Sequence, residues 1–317
     1  MITTLSAMRP VLSLLRRKLV IIGGALLLAG GLAGCSAVRL GYDQGPTLAY
    51  WWLDSRLDFD ARQAERTKAL LAQWFDWHRA TQLEDYAALL ARAQDESAAP
   101  ANAGQMCAWT TTWRERAGTA AQRLAPAVAE VAVTLTPAQI ARLEGKLAED
   151  RRKMREEELD TAPAKRQAAS ADRALERYER LYGRLDNAQR EWVRDSVRRS
   201  PYEPQRRLDD LAWRHREVLQ TLRRMAAERP APEQATAQVR ATLAAVLEPP
   251  QADGGAYRAR WLEHQCELAT RVHNGATAAQ RQHLRERLRD WETDARVLAG
   301  RGRALGAAAA AATGGLR

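Results

Sequence analysis

Beyond residue 35 the apolar side chains of this chain return every third or fourth position and almost never every second. Leu208, Leu211, His215, Val218, Leu222 and Met225 follow that rhythm, and so do Leu284, Leu288, Trp291, Ala295 and Leu298. Shorter stripes run through Leu71, Trp74 and His78, through Ile140, Leu143 and Leu147, and through Tyr257, Trp261, His264 and Leu268. Such spacing collects side chains on one face of an α-helix, whereas a half-buried strand requires alternation. Each stripe is narrow and flanked by charge, so the helices have to bury their apolar faces against one another. The expected fold is all-α, an elongated multi-helix bundle. Helices are expected at 46–53, 58–79, 81–96, 105–131, 136–160, 168–184, 186–199, 204–228, 232–247, 255–274 and 277–299, separated by Pro- and Gly-containing breaks.

The first 34 residues read as a removable leader. Arg9, Arg16, Arg17 and Lys18 make a basic start without a single acid, and an uncharged stretch runs from Leu19 to Ala33. That stretch falls short of the ~20 apolar residues a spanning helix needs, and it fits a signal-peptide core. Leu32-Ala33-Gly34-Cys35 then resembles the bacterial lipobox. The resemblance implies a cleaved lipoprotein signal peptide (1–34) and acylation at Cys35, which anchors the chain in a membrane. An ordinary signal peptide with an incidental cysteine, or an uncleaved anchor, is the other reading. Ser36 after the cysteine, instead of Asp, points to the outer membrane with the protein facing the periplasm. The expected organisation is a lipidated tether at 35–45, a single helical domain at 46–300 and a disordered Gly/Ala-rich tail at 301–317.

Without the leader, 45 basic residues stand against 39 acidic ones, a net charge of +6 carried almost wholly by Arg. A basic balance often marks nucleic-acid binders. Export makes nucleic acid an unsuitable partner and leaves lipid, cell wall or an acidic protein face. With Cys35 acylated, Cys107 and Cys266 remain, and in an oxidising compartment they are expected to form a disulfide closing a loop of about 160 residues.

A short pattern recurs. Leu135-Thr136-Pro137-Ala138-Gln139, Leu185-Asp186-Asn187-Ala188-Gln189 and Ala276-Thr277-Ala278-Ala279-Gln280 share it, with a looser copy at Phe59-Asp60-Ala61-Arg62-Gln63. The copies begin 76, 50 and 91 residues apart, so no regular repeat is present. In each, a Thr or Asp oxygen can accept from the amide three residues on, and the Gln can reach back to the cap amide. Thr136, Gln139, Asp186, Gln189, Thr277 and Gln280 are thus candidate capping-box helix starts. The Thr-led copies also resemble the LTxxQ motif of the Spy and CpxP periplasmic chaperones, which implies a helical periplasmic binder of unfolded clients or of a stress partner. More broadly, Cys35-Ser36, Arg39-Leu40-Gly41-Tyr42, Tyr50-Trp51-Trp52-Leu53-Asp54, Gln63 and Trp77-His78-Arg79 look like an uncharacterised family of proteobacterial lipoproteins. That family is a domain of unknown function and supplies no catalytic residues.

Trp51 and Trp52, with Tyr42 and Tyr50, lie close behind the anchor. They can rest on the bilayer or a partner, since Trp favours interfaces, or they can pack into the bundle. His78 and His215 lie on apolar stripes, either as hydrogen-bonded core residues or as a paired pH sensor. His264, Cys266 and His273 do not have zinc spacing, and no metal or other cofactor is expected. Asp54, Asp58 and Asp60 read as caps, and Glu156, Glu157 and Glu158 as a solvated face. No nucleophile elbow, zincin, dinucleotide or P-loop motif occurs. No catalytic residue and no small-molecule substrate is therefore expected. Arg194, Arg198, Arg199, Arg206 and Arg207 form the densest basic strip, either a solvated face or an anion contact. The expectation is a non-enzymatic lipoprotein that binds unfolded clients or a stress partner. A structural lipoprotein with one fixed envelope or cell-wall partner is the alternative.

Overall fold

A computed structural model describes residues 36–249 and 255–314. The leader and Cys35 lie outside the described residues. Two units are present. In Met1–Gln44 the described part is helix α1 (Ser36–Asp43), whose end is closed by the Gln44 amide on Leu40 O. The stretch expected as a tether is thus helical over these residues.

Gly45–Arg317 holds the remaining helices: α2 (Gly45–Leu57), α3 (Ala61–Thr81), α4 (Leu83–Glu96), α5 (Ala103–Ala132), α6 (Pro137–Arg155), α7 (Pro163–Tyr182), α8 (Asn187–Arg199), α9 (Pro204–Glu228), α10 (Pro232–Leu247), α11 (Ala256–Asn274) and α12 (Ala278–Gly314). A π-helical turn, Glu156–Asp160, extends α6. Among the described residues there is no strand, and the fold is an all-α multi-helix bundle. Pro opens α6, α7, α9 and α10, where its missing N–H costs nothing.

Three cores hold the unit together. One lies under α2, α6 and α9, where Leu57, Leu135, Ile140, Leu143 and Leu219 meet. A second is built from small residues: Ala125, Ala129 and Ala132 of α5 pack against Met225 of α9 and Ala235 and Val239 of α10. Alanines there let α5 and α10 run close together. The third joins Leu175 and Tyr182 of α7, Leu185, Val193 of α8, Leu268 and Val272 of α11, and Leu284 and Leu288 of α12. At Gly275 a Cβ would come within 2.8 Å of the Trp192 ring, so a larger residue there would have to displace that side chain.

The tail departs from expectation. Residues 301–314 continue α12 as helix to Gly314, whereas a disordered segment was expected from 301. The absence of large apolar residues argued against order. Ala307 to Ala312 are, however, the best helix formers, and they extend a helix that is already nucleated.

Candidate functional site

The four recurrent motifs meet in two pairs. At the start of α3 and α6, the Gln63 and Gln139 side chains exchange hydrogen bonds: Gln139 Nε2 donates to Gln63 Oε1 at 2.6 Å and Gln63 Nε2 to Gln139 Oε1 at 3.2 Å. Each oxygen also accepts from its own cap amide, Asp60 N at 3.1 Å or Thr136 N at 2.9 Å. The second proton of each amide crosses to the other motif, from Gln63 to Thr134 O at 2.9 Å and from Gln139 to Asp58 O at 3.0 Å. Asp58 holds a left-handed backbone (φ 55°), which aims its carbonyl at this site.

The starts of α8 and α12 repeat this arrangement. Gln189 and Gln280 exchange two bonds of 2.8 Å, accept from Asp186 N and Thr277 N, and donate to Gly275 O and Arg184 O at 2.9 Å. In all four cases the accepting carbonyl lies two residues before the partner motif's cap. Both protons and both lone-pair positions of every amide are used, so these buried groups are satisfied. Leu135 and Leu185, just before two of the caps, are buried in the first and third cores. The expected capping boxes form at Asp60, Thr136 and Asp186. At Thr277 the same two bonds are made. The four Gln side chains are buried joints between helices.

The aromatic set behind Cys35 divides. Trp51 and Trp52 are 61% and 56% exposed and, with exposed Leu48, occupy one face of α2. The Arg56 guanidinium lies 4.1 Å over the Trp52 ring. Tyr50, expected as a contact, is instead buried: its ring stacks on Phe59 at 6.4 Å and lies under the Lys68 ammonium at 4.4 Å. It sits one position from Trp51 and so faces the core side of α2, which packs on α3 and α6. Tyr42 of α1 is half-buried.

The histidines have separate settings. His78 stacks on Trp74 at 4.9 Å and lies 3.3 Å from Tyr86 Oη. His215 Nδ1 accepts from Arg151 at 2.9 Å. Burial holds both imidazoles below their ordinary range, and the Arg151 charge adds to this at His215. His264 binds Ser196, and buried His273 spans from Tyr182 Oη (3.0 Å) to Ala99 O (2.9 Å). Cys266 is joined to Cys107 in a disulfide with the Cα atoms 5.5 Å apart. Among the described residues no group of three His, Cys, Asp or Glu side chains could hold a metal.

The Arg strip is divided by helical geometry. Arg198 and Arg199 contact Asp195, and Arg206 pairs with Glu203 at 2.8 Å. Arg207 turns instead into an open cleft of about 340 Å³ beside the π turn. Arg114, Arg214, Arg258, Tyr202, Tyr257 and Trp261 share its lining. Tyr257 Oη accepts from Glu203 N at 2.9 Å, and burial, reinforced by Glu158, pushes the Tyr202 hydroxyl up to about 12.

Residues 55–234, more than half of the chain, match the family of unknown function DUF6279. The chain belongs to that family. No curated protein and no solved structure matches it. The DUF6279 segment contains the whole Gln63–Gln139 joint but only the Asp186–Gln189 half of the second. Trp51 and Trp52 precede the segment, and Trp261, Cys266 and Gln280 follow it. Within the cleft, the family segment supplies Arg114, Arg207 and Arg214, while Arg258 comes from beyond it. Sequence reasoning singled out Arg207 only as part of a surface strip. It missed Arg114, Arg214 and Arg258, which come from three helices far apart in the chain.

Proposed function

We propose that this protein is a non-enzymatic lipoprotein, anchored through acylated Cys35 in the outer membrane, that works in the periplasm as a chaperone-like or envelope-stress binding module. The observation that carries the reading is the face of α2 bearing Leu48, Trp51 and Trp52. These large side chains are left to solvent on a helix whose opposite side is covered by α3 and α6. Burying one such side chain contributes about 1.5–3 kcal/mol, and aromatic anchors dominate binding surfaces. The likeness of the Thr-led motifs to those of Spy and CpxP supports the same class. No helix among the described residues is long and apolar enough to cross a membrane.

The test is suppression of aggregation. The chain from Ser36 onward is titrated into several unrelated unfolding clients and light scattering is followed. Near-stoichiometric suppression that falls several-fold in Trp51→Ser/Trp52→Ser supports the module. No suppression with any client overturns the chaperone-like form. The face is compact and fixed on a packed helix, which also suits one dedicated envelope partner. In that case a photo-crosslinker at position 51 should capture a single protein in cells. The anchor is checked separately: labelled fatty acid should enter the wild type and not Cys35→Ala.

A further inference from the structure

The cleft of about 340 Å³ is lined both by guanidinium groups and by apolar side chains. Arg114 of α5, Arg207 and Arg214 of α9, and Arg258 of α11 line it, and Asp210 is the single acid among them. Burial works against the charge of Arg214, and Asp210 attracts it more strongly than Arg258 or Arg207 repels it. Arg214 Nε is buried and finds no hydrogen-bond acceptor. One carboxylate stands against four guanidinium groups, so the lining keeps a positive excess that a bound anion would offset. Leu211, between Arg207 and Arg214 on α9, and Leu247 and Trp261 supply the apolar lining, and Leu247 and Trp261 remain 40% and 36% exposed.

We propose that this cleft binds a small amphipathic anion, its oxyanion head on Arg207 and Arg214 and its apolar body against Leu211, Leu247 and Trp261. A guanidinium presents paired donors that match phosphate or carboxylate oxygens. The volume of about 340 Å³ lies within the range of small-ligand sites. A neighbouring cavity of about 470 Å³ shares Met154, Tyr202, Arg207 and Trp261 but is lined mainly by charged and polar side chains, so the apolar body is confined to the first cleft. π turns concentrate at functional sites, and this one places Glu157 and Glu158 on the second cavity, which Arg207 also lines, whereas Arg214 lines only the first. The proposal is independent of the α2 face.

The probe is octyl phosphate below its micelle threshold, titrated calorimetrically into the chain from Ser36 onward, which contains the complete Gly45–Arg317 unit. Octyl glucoside and inorganic phosphate serve as the uncharged and the body-less comparisons. Octyl phosphate should bind at one site, at least about ten-fold tighter than either comparison. Arg207→Gln and Arg214→Gln should each weaken it by at least about ten-fold, with unchanged far-ultraviolet dichroism, while Arg199→Gln on the paired surface leaves it unaltered. Should Arg214→Gln fail to fold, Arg207→Gln alone decides. Equal affinity for octyl glucoside would reduce the cleft to an apolar surface, and equal affinity for inorganic phosphate would remove the apolar half. No binding, or binding indifferent to Arg207→Gln, overturns the proposal.

Discussion

A histidine drawn out of water is held in the fold most easily uncharged: His78 is buried against Trp74 and Tyr86, and His215 is half-buried against Arg151. Burial lowers the affinity of each ring for a proton relative to the unfolded value of 6.5, and at His215 the neighbouring Arg151 lowers it further. The unfolded chain therefore takes up protons at these positions before the folded protein does. Their contribution to stability is complete above pH 6.5 and is lost as pH falls from there through the lower folded values. The thermal midpoint should drop between about pH 7.5 and about pH 5.5. In His78→Gln/His215→Gln that slope should flatten, whatever the change in absolute stability. The carboxylates with lowered values, Glu130, Glu149 and Glu292, act below this window, because their ordinary value is 4.5. A wild-type midpoint that is level across the window, or a slope untouched by the double variant, would contradict the assignment.

Pairs of helix starts, more than single caps, are the working joints of this bundle. Removing one amide of a pair strands several groups at once. In Gln189→Ala the Asp186 amide, the Gly275 carbonyl and half of the Gln280 amide lose their partner. Each buried group left unsatisfied costs about 1–3 kcal/mol, so the single variant should lose roughly 3 kcal/mol in urea denaturation. Gln189→Ala/Gln280→Ala should lose clearly less than the sum of the two singles, with a coupling of about 1–3 kcal/mol. Additive losses would mean that the two amides do not act as a pair. The caps themselves were legible in the sequence, because a capping box is written within four residues. Their pairing was not, because the crossing proton of each Gln goes to a carbonyl 71 to 96 residues away and the copies keep no fixed spacing. The same limit hid the cleft. Arg206 and Arg207 are neighbours in the chain, yet a helix turns successive residues about 100° apart, so one meets Glu203 and the other the cleft. Past residue 300 the lack of large apolar residues and the helix propensity of alanine point in opposite directions, and the backbone continues as helix to Gly314.

Three long-range ties interleave along the Gly45–Arg317 unit. The first Gln joint spans 63 to 139, the disulfide spans 107 to 266, and the second joint spans 189 to 280. Each span begins inside the one before it, so the disulfide overlaps both joints. Its two ends lie on α5, which carries the alanine core, and on α11, which enters the core under the second joint. Opening either joint's core alone therefore pulls on a bond rooted in the other part of the bundle. The cysteine pair itself was readable from compartment and count, whereas the interleaving needed the paired glutamines. Closing 159 residues removes much freedom from the unfolded chain, and losing such a bond costs about 2–5 kcal/mol. Cys107→Ser/Cys266→Ser should melt roughly 5–10 °C earlier than the oxidised protein. Its calorimetric transition should also broaden or split, because the two joints then hold separate segments. A double variant that melts in one transition at the wild-type temperature would mean that packing of α11 on α5 already couples the parts without the bond.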